Sequence, residues 1–260
     1  MKMGRAILVC AAVLATAALA AHAAEKRAFT IEDLYRVTAP QAARLSPDGK
    51  AIAYRLETRD FARGKENHDL YRLDVAGGEP RRLTFTADDS ESAPCWSPDG
   101  KQVAFVAKRG EHPGVFLLPA DGGEARELVS LSTGIGNLLW SPDGRHIAFT
   151  SDVYPECGAD DACNRRLDGW REKGPLTAHV AEELLYRHWT SWSDGKVGHV
   201  LAVEVETGKV RDLTPGDREA PVFGQEGAGF AFSPDGGELA FTRNPDLKAM
   251  LARSTNSDIC

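Results

Sequence analysis

Residues 140–149 read WSPDGRHIAF, and the phrase recurs as LSPDGKAIAY at 45–54, WSPDGKQVAF at 96–105 and FSPDGGELAF at 232–241. Its first half is turn chemistry. Proline presets φ, aspartate bonds its own backbone, and glycine accepts the left-handed conformation that closes a tight connection. Its second half alternates an aliphatic residue, alanine and an aromatic, the pattern of a half-buried strand. Each copy therefore predicts a hairpin, with Leu45, Trp96, Trp140 or Phe232 ending the strand before it. The aspartates Asp48, Asp99, Asp143 and Asp235 lie 51, 44 and 92 residues apart, the last gap being two periods of 46.

A second unit follows three of the hairpins: DLYRLDVAGGEPRRLT from Asp69, GVFLLPADGGEARELV from Gly114 and HVLAVEVETGKVRDLT from His199. Each is sixteen residues long, with Gly78, Gly123 or Gly208 in tenth place, and each reads as strand, turn, strand. Two hairpins per period make four antiparallel strands, the content of one blade of a β-propeller. The expected fold is all-β: an incomplete propeller over 24–260, with about four four-stranded blades and, at Asp258-Ile259, the start of another unit like Asp69-Leu70. The long third period carries an insertion from about Ser151 to Gly198. Val180, Leu184 and His188 recur there every four residues, which predicts a helix over Pro175 to Trp189. Trp192-Ser193-Asp194-Gly195 resembles a worn SPDG phrase.

Lys2 and Arg5, the apolar run from Ala6 to Ala21, and the site Ala21-His22-Ala23 form a signal peptide over residues 1–23. The run is too short and alanine-rich to span a bilayer, and Val9 before Cys10 is not the small residue a lipoprotein site requires. A periplasmic or secreted chain with no membrane attachment is expected, beginning at Ala24. It would carry 29 Lys and Arg against 38 Asp and Glu, a formal charge of −9. That balance argues against a nucleic-acid partner.

These residues resemble the prolyl oligopeptidase family of serine peptidases, in its bacterial dipeptidyl peptidase 5 and acylaminoacyl peptidase branch. The resemblance is carried by FTIEDLYRVTAPQAARLSPDGKAIAY from Phe29, by the repeated WSPDG and Gly-Gly-Glu phrases, by EELLYRHWTSWSDGK from Glu182 and by STNSDI from Ser254. It implies an N-terminal propeller that gates short peptides toward a C-terminal α/β-hydrolase domain holding a Ser-Asp-His triad. No serine here has glycine two residues away on both sides, so the G-x-S-x-G nucleophile elbow and its domain are missing and no catalytic residue is assigned. A stand-alone periplasmic interaction propeller of the Tol-system type is the competing expectation. It would normally show a small domain ahead of the blades.

The resemblance also draws attention to Glu182 and Glu183, because dipeptidyl peptidases of this family can hold a peptide's free amino terminus with adjacent propeller carboxylates. The alternative is a helical ion pair between Glu183 and Arg187, four residues apart. Cys157 and Cys163 in an exported chain fit a small disulfide loop, with two free thiols as the other reading. No matching His pair or Cys-x-x-Cys stands nearby to complete a zinc site. Cys95 reads as a small core residue. No cofactor and no metal is implied, and the four SPDG aspartates are read as turn formers.

Overall fold

The computed structural model describes residues 27–86, 89–175, 187–188, 191–192, 195–222, 228–246 and 256–260. Residues up to Val37 form one compact unit and Thr38–Cys260 another. Among the described residues the first contains one helical turn, α1 (Ile31–Leu34). The Thr30 N–H donates to Asp33 Oδ2 at 2.9 Å, and the Arg27 guanidinium binds the same carboxylate. Together they hold Asp33 well below the usual carboxylate range.

The second unit is a run of antiparallel meanders. The first blade comprises β1 (Ala39–Leu45), β2 (Ala51–Asp60), β3 (Lys65–Asp74) and β4 (Arg81–Arg82), and the second β5 (Ser92–Trp96), β6 (Gln102–Ala107), β7 (Gly114–Pro119) and β8 (Arg126–Ser130). The third opens with β9 (Gly136–Trp140) and β10 (His146–Val153), then leaves the sheet for the insertion. There it forms helix α2 (Asp161–Lys173) and a hairpin of β11 (Arg187–His188) and β12 (Ser191–Trp192). It returns as β13 (Val197–Glu204), paired with β10, and β14 (Val210–Asp212). The fourth shows β15 (Phe230–Phe232), β16 (Leu239–Arg243) and β17 (Asp258–Ile259).

All four SPDG phrases join the first and second strands of a blade. In each, the serine hydroxyl donates to the aspartate two residues on, at 2.7, 2.7, 2.6 and 2.6 Å along the chain. The same oxygen accepts the backbone N–H five residues on, at 2.9 Å in every copy. The closing glycines have φ of 69 to 76°, where a side chain would be strained. These donors hold Asp48, Asp99, Asp143 and Asp235 below the ordinary carboxyl range. A second repeated device precedes each turn. Four residues before the serine, Ala42, Ala93, Asn137 and Gly229 all have positive φ, of 51, 50, 52 and 70°. Ala42 and Ala93 lie where the first-strand register slips, between Gln41 and Arg44 and between Ser92 and Cys95. A bulge of this kind bends a strand that stands at the edge of its sheet.

Blades stack large side chains onto small ones. Val103 packs with Ala51 and Ala53 of the first blade, and Phe105 and Phe116 with Leu70 and Leu83. Ile147 and Phe149 pack on Ala104, Val106, Val115 and Leu117 of the second blade, and Leu239 and Phe241 on Ala148 and Val200 of the third. Ala53, Ala104 and Ala148 are fully buried, because their missing bulk makes room for the next blade. Trp96 adds a polar tie, its indole N–H donating to Arg44 O at 2.9 Å. Cys95 is buried in the core, as a free thiol.

Two expectations need correction. A helix lies at Asp161–Lys173, ahead of the expected span, and Arg187 and His188, near the end of that span, belong to a strand. His188 is therefore not on a helical face; residues 176–186, which carry most of the expected helix and Glu183, lie outside the described residues. Asp258-Ile259 does correspond to Asp69-Leu70, but it forms the third strand of the fourth blade rather than opening a fifth. Ile259 pairs with Thr242 and Asp258 with Arg243, just as Leu70 pairs with Arg55 and Asp69 with Leu56.

Candidate functional site at the insertion end

In each meander the connection from second to third strand lies at the end opposite the SPDG turns. The 61–64 turn, the 83–91 connection to the second blade and the 154–196 insertion all emerge there. Helix α2 is polar almost throughout and is held by hydrogen bonds. Asp160 caps it, accepting the Cys163 N–H at 3.0 Å. Ser132 donates through its N–H and hydroxyl to Asp161 Oδ1 at 2.8 and 2.7 Å. Buried Asn164 accepts the Tyr154 N–H at 2.9 Å and donates to Gly158 O and Asp160 O at 3.0 Å. The two ends of the insertion meet on the same helix. The Tyr154 hydroxyl donates to Asp168 Oδ1 at 3.0 Å, and Lys196 Nζ lies 2.8 Å from that oxygen. The Arg171 guanidinium stands 5.1 Å from the Tyr154 ring centre, within cation–π range. Cys157 and Cys163 are bonded through sulfur, their Cα atoms 5.5 Å apart. This base is firmly built. Glu182 and Glu183, the predicted substrate-binding pair, lie outside the described residues.

Beneath the same end, the sixteen-residue units carry polar pairs that their turn pattern alone does not flag. In the first blade Asp69 is buried and meets Arg82 Nη2 at 2.6 Å. In the third, His199 and Asp212 take those two places. His199 Nδ1 lies 2.7 Å from Asp212 Oδ2 and Nε2 2.9 Å from Gly216 O. A carbonyl only accepts, so Nε2 carries a hydrogen. The second blade has Gly114 and Glu127 there, and a Cβ on Gly114 would stand 2.8 Å from Val129 O. The signal was present in the first and fourteenth residues of the aligned units, which are complementary in charge or hydrogen bonding in two of three copies.

Glu91 is fully buried beside this layer. Its Oε1 accepts the Thr86 hydroxyl at 2.8 Å, with Arg109 Nη2 at 3.6 Å. Arg109 in turn lies over the Phe116 ring at 4.7 Å. Burial pushes the carboxyls of both Glu91 and Asp69 up, because the charged form loses more solvation than its neighbours restore.

Above the layer a cleft of about 460 Å³ opens between the 61–64 turn and the 83–91 connection. Arg59, Arg63, Lys65 and Arg82 line it with one acid, Asp60, and the exposed Phe85 ring stands 4.9 Å from the Arg82 guanidinium. Such a lining suits an extended polar ligand with an anionic group. Among the described residues, no group of three or more His, Cys, Asp and Glu could hold a metal ion, and no helix is long and apolar enough to cross a membrane.

The TolB β-propeller domain family (PD40) matches residues 25–158, just over half of the chain. The chain is 28% identical over 220 residues to dipeptidyl-peptidase 5 of Porphyromonas gingivalis, covering 83% of this chain and 31% of that protein. It is 28% identical over 226 residues to the uncharacterized peptidase YuxL of Bacillus subtilis, covering 84% and 32%. Among solved structures, an acylaminoacyl peptidase of Pyrococcus horikoshii shares the fold, with a TM-score of 0.55 and 13% identity over 81% of this chain and 28% of that one. The chain spans about a third of the length of the curated relatives it matches.

Proposed function

This chain belongs to the PD40 family of TolB β-propeller domains, and from that premise we propose that it is the substrate-gating propeller part of an exported serine peptidase of dipeptidyl or acylaminoacyl type. One observation carries the choice. The family match ends at residue 158, a span that Tol-type propellers also share, whereas a stretch covering 83% of the chain must run through the 154–196 insertion. The similarity to a dipeptidyl peptidase therefore includes the feature that departs most from a plain repeat. The competing reading, a stand-alone Tol-type interaction propeller, is supported by the family description and by a match to a TolB protein over only 64 residues, 24% of this chain.

On this proposal a separate α/β-hydrolase domain supplies serine, histidine and oxyanion donors, and the blades restrict access to it. Glu182 and Glu183 hold the amino terminus of a short peptide, and the cationic cleft receives an acidic group further along. The signal peptide is removed after Ala23, leaving a periplasmic or secreted chain. Intact mass of the exported product tests the cleavage; retention of residues 1–23 refutes it. The 260-residue chain should show no labelling by a serine-directed phosphonate and no release of dipeptides from chromogenic substrates, and joining it to a hydrolase domain from its own genomic locus should bring both. Labelling of any serine in the purified 260-residue chain, or a locus without such a domain, would overturn the proposal.

A further inference from the structure

In the first blade one arginine is fixed in place and still has an edge to spare. Arg82 lies on β4, where its Nη2 meets the buried Asp69 carboxylate at 2.6 Å and its Nε–H donates to Thr84 O at 2.8 Å. Asp69 is itself held. Asn67 Nδ2 donates to it at 2.8 Å and to Thr86 O at 2.9 Å. The guanidinium carbon stands over the Phe85 ring, 4.9 Å from its centre. Nη1 is left without a hydrogen-bond partner among the described residues, on a side chain that lines the 460 Å³ cleft. All these contacts lie within residues 67–86. A guanidinium locked in this way loses little freedom when an anion arrives, and its planar fork suits a carboxylate.

Charge selects the anion. The cleft shows four cations and one acid, yet Arg59 is paired with Glu57 and Glu66, and Arg82 with Asp69. The surplus left is small, which suits a singly charged carboxylate better than a doubly charged phosphate. Phe85 selects what stands beside it. Its ring is 73% exposed and borders the cleft next to the guanidinium, so a ligand that covers it carries an apolar group close to its carboxylate. The last residue of a peptide meets that requirement by itself, because its carboxylate and its side chain leave the same Cα. An acidic residue inside a peptide needs a second residue to cover the ring. We propose that Arg82 and Phe85 capture the C-terminal carboxylate and the apolar last side chain of a short peptide. Its use on a substrate rests on the peptidase reading, whereas the binding itself needs only the first blade.

The test is calorimetric titration of the purified chain with N-acetyl-Ala-Ala-Phe, as the free acid and as the C-terminal amide. The acetyl group removes the ammonium that Glu182 and Glu183 would hold, so failure to bind is a failure of the cleft and leaves the peptidase reading standing. The acid should bind, and the amide at least about tenfold more weakly. Arg82→Gln should reduce the acid to the amide's affinity and leave the amide unchanged. Arg82→Lys should not restore it, since a compact ammonium does not reproduce the planar fork. Arg82→Gln also leaves Asp69 buried without its partner, so Phe85→Ala, at an exposed position, is the second variant. It should keep the fold and remove the advantage of N-acetyl-Ala-Ala-Phe over N-acetyl-Ala-Ala-Ala. No binding of the acid, equal affinity for acid and amide, or a Phe85→Ala chain that still prefers phenylalanine would each overturn the proposal. So would equal binding of N-acetyl-Ala-Asp-Phe-amide, which places the anion in a side chain, or displacement of the acid by inorganic phosphate at equal concentration.

Discussion

His199 Nδ1 lies 2.7 Å from Asp212 Oδ2 in the third blade, at the two positions that Asp69 and Arg82 hold in the first. The acid has changed sides. Both arrangements sit beside a threonine hydroxyl that accepts the next backbone N–H, Thr84 from Leu70 and Thr214 from Val200, each at 2.9 Å. The pair is thus a property of the blade register rather than of either residue type. Breaking a buried pair by removing one member leaves the other unpaired, which costs more than replacing both by apolar groups. Asp212→Ala should therefore lower unfolding stability by about 3 kcal/mol, and the double variant His199→Leu with Asp212→Leu should lose less. Urea denaturation of the three proteins decides it; a double variant at least as unstable as the single one would show that the pair is not the unit that matters.

The turns were legible because Pro, Asp and Gly act on their own backbone, so Ser141 to Gly144 fold as their local chemistry dictates. Other features depend on contacts distant in sequence. Helix α2 buries only Asn164 fully and carries Gly169 at its middle, so no apolar stripe announces it. The stripe at Val180, Leu184 and His188 points instead to 175–189, of which residues 176–186 lie outside the described residues and 187–188 form a strand. Left-handed backbone at Ala42 and Ala93 carries no glycine to betray it. The likeness of Asp258-Ile259 to Asp69-Leu70 was readable, but only pairing with β16 assigns it to the fourth blade. For the candidate site, the SPDG pattern located the insertion, while the buried pairs and Glu91 needed the packing of neighbouring blades to become visible.

Ala93 offers a stabilising substitution. A side chain at φ of 50° costs roughly 1 kcal/mol or more, and glycine removes that strain at a smaller entropic cost in the unfolded chain. Ala93→Gly should raise unfolding stability by about 0.5 kcal/mol. At the equivalent position in the fourth blade the reverse change fails on space as well as on backbone, since a Cβ on Gly229 would stand 2.5 Å from Pro221 Cβ. Gly229→Ala should destabilise the chain. Thermal melts of both variants give the sign, and a less stable Ala93→Gly protein would contradict the strain argument.

Stability should depend on pH from two opposed groups. The SPDG aspartates are held below the ordinary value of 3.8 by serine hydroxyls and backbone N–H groups. Their contribution is present above that value and is lost as pH falls through their folded values. Glu91 is raised above 4.5 by burial, so its contribution is present below 4.5 and is lost as pH rises through the folded value. Glu91→Gln keeps an oxygen for the Thr86 hydroxyl and removes the buried charge. It should raise stability at pH 7 and flatten the alkaline side of the profile, leaving the acid side unchanged. Denaturant midpoints between pH 3 and 8 test both flanks, and an unchanged alkaline flank would place the effect elsewhere.

The Cys157–Cys163 bond closes a short loop around the N-terminus of α2. Short loops restrict the unfolded chain least, so its contribution should lie near about 2 kcal/mol. The helix has independent anchors in Asn164, in the Ser132 bonds to Asp161 and in the Asp168 contacts of Tyr154 and Lys196. Replacing both cysteines by serine should accordingly lower the melting temperature by a few degrees while leaving the blades folded. Limited proteolysis should find new cleavage within 155–163 and none within β10 or β13. Peptide mapping of exported material without reductant should recover the two cysteines linked. Free thiols at both positions in that material would remove the bond from the account of this loop, and collapse of β10 and β13 on its loss would show that the anchors do not hold the helix by themselves.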